Sequence, residues 1–227
     1  MHLIRTIRYL NYRKPYLDTT TQYSMKSIHL SRRTTWNGLV FLALLAALVL
    51  LFAPEEKDLG SGIQSVYVHV ALTWTGMTGI VIGGLVGLAA AVLDREKLQS
   101  WATTITWIAL AFFAAGAVMS IIAAGINWGR IFWQEPRTNT VLQVLAVGLI
   151  VQGLSTWPFS HRLKGVLNFI LASLLLYLVF TTPLVLHPGN AARTANSLAI
   201  RFTFFSLYGL CLLAAAWIVL AIQTKDN

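Results

Sequence analysis

The chain has 227 residues, of which 56% are hydrophobic and only 11% charged, and its formal net charge at pH 7 is +9. A soluble domain of this length needs more charged side chains to cover its surface, so the composition excludes that class and indicates lipid as the main solvent. The positive charge does not indicate nucleic-acid binding, because no basic motif or continuous basic face is present. The single cysteine, Cys211, excludes a disulfide framework and a cysteine-based metal site.

The chain begins with a polar and basic stretch, residues 1–35, which carries seven Lys and Arg residues. This stretch is longer and more basic than a typical cleaved signal peptide, so we interpret it as a cytoplasmic amino-terminal arm. Translation from Met1 and translation from Met25 are both compatible with the sequence. At the other end of the chain, residues 223–227 form a short polar tail that we also expect to be cytoplasmic.

Six apolar segments lie between the arm and the tail, and each is long enough to cross about 30 Å of hydrocarbon as a helix. Only helices and closed barrels satisfy their backbone hydrogen bonds in lipid, and these segments lack the alternating pattern of barrel strands. The sequence therefore predicts an all-α integral membrane protein, a bundle of about six transmembrane helices within residues 36–222. The predicted spans are 36–53, 64–93, 101–126, 138–157, 162–186 and 198–222.

The distribution of positive charge predicts the orientation of these spans. Twelve of the 17 Lys and Arg residues lie on one side: seven in residues 1–35, two in 94–100, two in 158–165 and one in the tail. The other five lie in the opposite loops, if Arg201 near the start of the sixth span is counted with them. Because Lys and Arg are enriched in cytoplasmic loops, we expect both termini in the cytoplasm and a multi-pass protein of the inner, or plasma, membrane.

Several functional classes are disfavoured by what the spans contain. No charged residue lies in the middle of a predicted span, which argues against an ion pump or a coupled transporter. Nucleophile–base, Walker and dinucleotide motifs are absent from the sequence, so we do not expect an enzyme.

Span two contains Gly79, Gly83 and Gly87 at a four-residue spacing, and this face predicts close packing against a neighbouring helix.

Two histidines fall on the predicted outer face: His69 near the start of span two and His187 at the end of span five. A neutral imidazole is a common ligand of haem iron, and two histidines from different helix ends can bind one iron from both sides. We therefore regard His69 and His187 as candidate metal ligands. A histidine at a membrane interface can also be a hydrogen-bonded packing residue, and this alternative stays open.

The outer segment 127–137, between spans three and four, combines aromatic and cationic side chains. Aromatic rings stack on a flat macrocycle, and guanidinium groups pair with its propionates in a bidentate geometry. Both residue types are also ordinary at a membrane interface, where tryptophans form an aromatic belt. The candidate haem-binding residues of this segment are Trp128, Arg130, Phe132, Trp133 and Arg137.

The stretches YVHVALTW (67–74), INWGRIFWQEPR (126–137) and LHPG (186–189) resemble three segments of a known family. The family is the haem-handling membrane proteins of cytochrome c maturation, most closely the six-span CcmC type, and the stretches correspond to its first histidine segment, its WWD loop and its second histidine segment. The resemblance implies that haem b is bound noncovalently on the outer face between His69 and His187. It also implies transfer to a periplasmic haem chaperone with help from an ABC transporter.

The sequence departs from that family's pattern at several positions. Ala71 stands where the family has a proline, the central loop is shorter, and its dense tryptophans are reduced to Phe132 and Trp133. These losses favour a second reading of a different class, a structural accessory subunit of a larger respiratory or photosynthetic membrane complex that binds no cofactor. A quinone or a pigment could also use the same histidine and aromatic groups.

Overall fold

The computed structural model describes residues 31–183 and 197–224, and within these ranges the regular structure is helical apart from one isolated bridge between Glu56 and Gly60. By length and composition, six helices are able to cross a membrane. They are α1 (Arg32–Leu51), α2 (Ile63–Leu93), α3 (Glu96–Trp128), α4 (Pro136–Ser155), α5 (His161–Thr181) and α6 (Leu198–Gln223). The prediction of an all-α chain with six helices of membrane-spanning length is confirmed for the described residues.

Serine caps and one proline define the ends of several helices. Ser31, Ser160 and Ser197 precede α1, α5 and α6, and each hydroxyl accepts a hydrogen bond from the backbone N–H three residues further on. Helix α5 ends at Thr181, five residues before the predicted end of its span. The residue before Pro183 is extended (φ −77°, ψ 121°), because the proline ring disfavours helical geometry in the residue that precedes it.

Helix α2 is the centre of the bundle, and it packs against α3, α5 and α6. At Gly76 a Cβ atom would lie 2.5 Å from the backbone nitrogen of Phe113 in α3. At Gly87 a Cβ atom would lie 2.8 Å from the carbonyl oxygen of Gly165 in α5. The predicted close packing of the glycine face is therefore confirmed, and the glycines serve two neighbouring helices because they occupy two sides of α2.

Helices α2 and α3 form an antiparallel hairpin with a tight turn, in which Asp94 adopts a left-handed conformation (φ 52°). At the far end of the hairpin, the side-chain amide of Asn127 donates to the carbonyl oxygen of Gly62 at 3.3 Å. This contact places the beginning of α2 beside the end of α3. The α3–α4 loop and the start of α2 therefore lie at the same end of the bundle.

The buried apolar residues form two clusters. One cluster lies among α2, α3, α4 and α5, and its members include Ile80, Leu110, Phe113, Val144, Leu171 and Leu175. The other joins α2 to α6, where the rings of Tyr67 and Phe204 meet edge to face at 4.6 Å between centroids. Buried polar side chains accompany the apolar ones, and Gln152 of α4 donates to Asn168 of α5 at 2.9 Å.

Helix α1 lies at the edge of the bundle, where it packs against α6, and none of its residues is fully buried. The indole N–H of Trp217 in α6 donates a hydrogen bond to the carbonyl oxygen of Thr35 at 3.2 Å. This bond links α6 to α1. Because Ser31 caps the helix, α1 begins at Arg32 and includes residues 32–35, which the sequence placed in the arm.

Candidate functional site at the end of the bundle where α3 meets α4

His69 lies six residues after the start of α2 and is half-buried against α3. Its Nδ1 atom is 2.9 Å from the carbonyl oxygen of Gly116 in α3. A carbonyl oxygen only accepts hydrogen bonds, so Nδ1 carries the proton and donates it. In the neutral ring the lone pair is therefore on Nε2, and a histidine that ligates a metal through Nε2 commonly donates its other N–H in this way.

Gly116 permits this hydrogen bond because it lets the two helices approach closely. A Cβ atom at Gly116 would lie 2.8 Å from the backbone nitrogen of Thr73 in α2. The hydroxyl of Thr73 is 3.4 Å from Nδ1 of His69 and belongs to the same contact. The hydrogen bond between His69 and Gly116 also joins α2 to α3, so the packing alternative for this histidine accounts for the same geometry.

Polar contacts connect the region of His69 to the end of α3. The amide of Asn127 donates to the hydroxyl of Ser65 at 3.2 Å, and Ser65 lies one helical turn before His69 on α2. Gly62, the second partner of Asn127, is seven residues from His69, or about 10 Å along the helix axis. His69 and the end of α3, where the loop to α4 begins, therefore adjoin the same short stretch of α2.

The α3–α4 loop begins where Gly129 adopts a positive φ of 68° and ends α3. It closes at Pro136, which occupies the first turn of α4, where a missing N–H has little cost. The ring of Trp128, the last residue of α3, meets the ring of Phe132 in the loop edge to face, with 6.1 Å between centroids. The guanidinium carbon of Arg130 is 4.7 Å from the centroid of Phe132, so these three side chains form a cationic aromatic cluster.

Two further candidates lie next to this cluster in sequence. Trp133 exposes 59% of its surface. Arg137 is half-buried in the first turn of α4, and its Nε atom is buried without a hydrogen-bond partner in the described part of the chain. A buried donor without an acceptor is unfavourable, so this atom is suited to an anionic ligand such as a carboxylate.

His187 lies outside the described residues, so its role as an iron ligand together with His69 stays a prediction. The last described part of this region is tied to the site end of the bundle, because the hydroxyls of Thr182 and Thr140 are hydrogen bonded at 2.8 Å. Thr140 is in the second turn of α4, just after the α3–α4 loop. The chain therefore leaves α5 at the same end of the bundle as that loop.

A cluster of three or more His, Cys, Asp or Glu side chains that could hold a metal ion is absent from the described residues. This finding does not bear on haem, since the porphyrin supplies four ligands to the iron and the protein adds one or two. The contacts that Gly116 and Asn127 make with α2 could not be predicted from the sequence. Their residue types are common in membrane helices, and only the register of α3 against α2 gives them a role.

Comparison of the chain with models of known protein families gives no match, and comparison with curated proteins gives none either. The resemblance to the CcmC type therefore depends on three stretches of sequence and on the number and spacing of the spans within residues 36–222. What the site can bind has to follow from the residues present: one positioned imidazole, a cationic aromatic cluster and a buried guanidinium nitrogen.

Proposed function

We propose that this chain is an integral membrane protein that binds haem b at one end of its helical bundle and presents it to a partner protein. The membrane part of the proposal is supported by the faces of the helices. Large apolar side chains point outward, as with Leu51 (74% exposed) and Phe180 (83% exposed), while glycine, threonine and amide side chains occupy the interior. Soluble proteins rarely expose such continuous apolar surface, and helix contacts in lipid favour small and polar residues.

The proposed orientation follows from the charges. The α2–α3 turn and the start of α5 carry cations at one end of the bundle, where Arg162 pairs with Asp94 at 3.1 Å. With these cations in the cytoplasm, the α3–α4 loop and the start of α2 face the outer side of the inner membrane. The candidate haem site would then be on the periplasmic side.

The hydrogen bond from Nδ1 of His69 to Gly116 is the observation that carries the haem proposal. It fixes the ring at a helix crossing and leaves Nε2 as the nitrogen with the lone pair, which suits iron ligation. The rings of Trp128, Phe132 and Trp133 would contact the macrocycle. Arg130 and Arg137 would pair with its propionates, and the buried Nε of Arg137 fits that role.

Haem is cargo in this proposal, held noncovalently and released without any bond-making step by the protein. His187 is the second ligand implied by the family resemblance. The same resemblance gives the partners, a periplasmic haem chaperone and an ABC transporter. An open outer face suits such transfer, because Trp128 and Trp133 are both exposed and a partner can reach a flat ligand lying on them.

Haem content of the purified protein tests the proposal. We would express wild type and three variants, His69→Asn, His187→Ala and His161→Ala, in haem-replete cells and measure reduced-minus-oxidised spectra and pyridine haemochrome. The Asn amide can donate to Gly116 in place of Nδ1, but it has no imidazole lone pair to bind iron. His161 is the matched control, because it is at the opposite end of the bundle beside Glu96.

We expect haem in wild type and in His161→Ala, with strong loss in His69→Asn and His187→Ala at an unchanged unfolding temperature. Full haem content in His69→Asn would remove His69 as a ligand. A wild-type protein without haem would overturn the haem proposal. Loss of haem together with a lower unfolding temperature in His69→Asn would show that the residue acts through α2–α3 packing.

A structural accessory subunit is the second candidate function. The observation that favours it is the same His69–Gly116 hydrogen bond, since the bond joins α2 to α3 whether or not haem is present. The α3–α4 loop has fewer tryptophans than the WWD loop that it resembles, which agrees with a six-helix scaffold that has lost haem binding. A wild-type protein that lacks haem and migrates on native gels with other membrane subunits would establish this candidate over the first.

A further inference from the structure

We propose that Asn127 is a positioning residue of the haem site, whose side-chain amide holds the aromatic end of α3 beside the part of α2 that carries His69. The inference rests on the haem binding proposed above and adds a residue that acts through its neighbours. Asn127 is the last polar residue of α3, and Trp128 follows it directly. The position of Asn127 therefore determines where the α3–α4 loop begins.

The amide nitrogen of Asn127 is within hydrogen-bonding distance of three oxygen atoms. On its own helix, it donates to the carbonyl oxygen of Ala123 at 2.9 Å. On α2, it is 3.2 Å from the hydroxyl of Ser65 and 3.3 Å from the carbonyl oxygen of Gly62. The bond to Ala123 orients the side chain, and the two contacts with α2 hold the end of α3 against that helix.

Ser65 closes this hydrogen-bond network. Its hydroxyl accepts from Asn127 and donates to the carbonyl oxygen of Gly62 at 2.6 Å. Only 8% of the surface of Ser65 is exposed, so the protein supplies these partners in place of water. His69 is four residues further along α2, or about 6 Å along the helix axis. One turn of helix therefore connects the network to the proposed iron ligand.

Gly62 provides the space that the amide of Asn127 occupies. A Cβ atom at Gly62 would lie 3.0 Å from the carbonyl oxygen of Leu59 and would collide with Oδ1 of Asn127. The backbone of Gly62 is right-handed (φ −60°, ψ −21°), a conformation open to any residue. Glycine is therefore needed here for the close approach of Asn127, and its conformational freedom is not required.

A flat ligand makes the separation between His69 and the aromatic rings important. A ligand held by a histidine of α2 and by rings at the end of α3 binds well only if hydrogen bonds of neighbouring residues keep both groups in place. The ring of Trp128 contacts that of Phe132, so movement of the end of α3 would displace both rings. Loss of the network should weaken these ring contacts and leave the bond from His69 to Gly116 intact, since Gly116 is eleven residues before Asn127.

Haem titration of Asn127→Ala, Gly62→Ala and the double variant tests the proposal. The matched control is Asn139→Ala, the same change at an exposed position in the first turn of α4. We would measure the unfolding temperature of each haem-free protein, the Kd for added haem b, and the midpoint potential of the bound haem.

We expect Asn127→Ala to raise the Kd for haem about tenfold, as when a residue that supports a metal ligand is removed. Its midpoint potential should fall, because a haem less covered by the rings is more exposed to water, which favours the charged ferric state. Gly62→Ala should have the same effects. The double variant should bind haem no worse than the weaker single variant, since both changes break one network. Asn139→Ala should match wild type.

The results separate this inference from the proposed function. A wild-type Kd and midpoint potential in Asn127→Ala would overturn the inference and leave the haem proposal intact. A lower unfolding temperature of haem-free Asn127→Ala with an unchanged midpoint potential would also overturn it, because the amide would then only pack α3 on α2. Additive losses in the double variant would contradict a shared network. Wild-type protein that binds no haem would overturn the proposed function and this inference with it.

Discussion

Two glycines of the α2–α3 hairpin, Gly76 and Gly125, differ in the space around them. A Cβ atom at Gly76 would lie 2.5 Å from the backbone of Phe113, which cannot turn away as a side chain can, whereas a Cβ atom at Gly125 would meet nothing within 4 Å. We expect Gly76→Ala to lower the free energy of unfolding by about 1–3 kcal/mol through overpacking. Gly125→Ala should leave it unchanged or raise it by up to about 1 kcal/mol, because alanine favours helix.

Unfolding of the two variants in mixed detergent micelles measures this difference. Gly125→Ala is the control for a methyl group added to a helix of the hairpin, and both changes are of equal size. If both variants lost the same stability, the close approach of α2 and α3 at Gly76 would not be present in the folded protein. The prediction therefore tests the register of the hairpin, on which the position of His69 beside Gly116 also depends.

Only part of the candidate site could be predicted at the scale of residues. The apolar segments and their ends placed His69 and the 127–137 segment at the same end of a helical bundle, and the structure places them so. The hydrogen bond from His69 to Gly116 could not be predicted, since it depends on which residues of α2 and α3 face each other. Likewise, the contact of Arg130 with Phe132 follows from the turn at Gly129, a local geometry that composition does not specify.

At the scale of elements, a buried amide pair links α4 to α5. Gln152 and Asn168 are 0% and 1% exposed, and the first donates to the second at 2.9 Å. Removing one partner leaves the other amide buried and less satisfied, so Gln152→Leu and Asn168→Leu should each destabilise the fold. The double variant should lose less than the sum of the two, with a coupling free energy of about 0.5–1.5 kcal/mol, the range found for interhelical hydrogen bonds in membranes.

A double-mutant cycle by detergent unfolding measures that coupling. Ser173→Leu is a suitable control, because its hydroxyl bonds only within α5 and the change should add independently to Gln152→Leu. Strict additivity between Gln152→Leu and Asn168→Leu would contradict the pairing and the contact of α4 with α5 near it.

The predicted spans match the helices in number and order, and they differ at the ends. Helix α3 begins at Glu96, five residues before the predicted start of its span. A span predicted from hydropathy excludes the charged residues of the first turn. A helix can include them, because a carboxylate is favourable near a helix amino terminus. The opposite error occurs in α5, where apolar residues continue past Pro183 but the helix has already ended.

At the scale of the whole molecule, the neighbours of each helix could be predicted only in part. The glycines of span two indicated close packing, and α2 is indeed the central helix. The peripheral position of α1 could not be predicted from the sequence, because in lipid an outward face and a buried face can both be apolar. Polar side chains within the helices are therefore more informative about the surroundings of each helix face. Gln152 contacts a neighbouring helix within the chain, and Gln143 is exposed.

The orientation of the whole bundle gives the last prediction. Lys57 in the α1–α2 loop and Lys97 in the first turn of α3 are both exposed, and they lie at opposite ends of α2. In a Cys211→Ser background, Lys57→Cys should react with a membrane-impermeant maleimide added to intact cells with a permeable outer membrane. Lys97→Cys should react only after the inner membrane is opened, since the proposed orientation puts the positively charged end of the bundle in the cytoplasm.

The two variants replace the same residue type at exposed positions, so a difference in labelling reports the side of the membrane. The reverse pattern would place both termini outside and would move the α3–α4 loop, with Trp128, Arg130 and Phe132, into the cytoplasm. A periplasmic acceptor could not then reach the site, and haem transfer at the outer face would fail even if His69 bound haem. Orientation is therefore the property that decides whether the site can perform the proposed function.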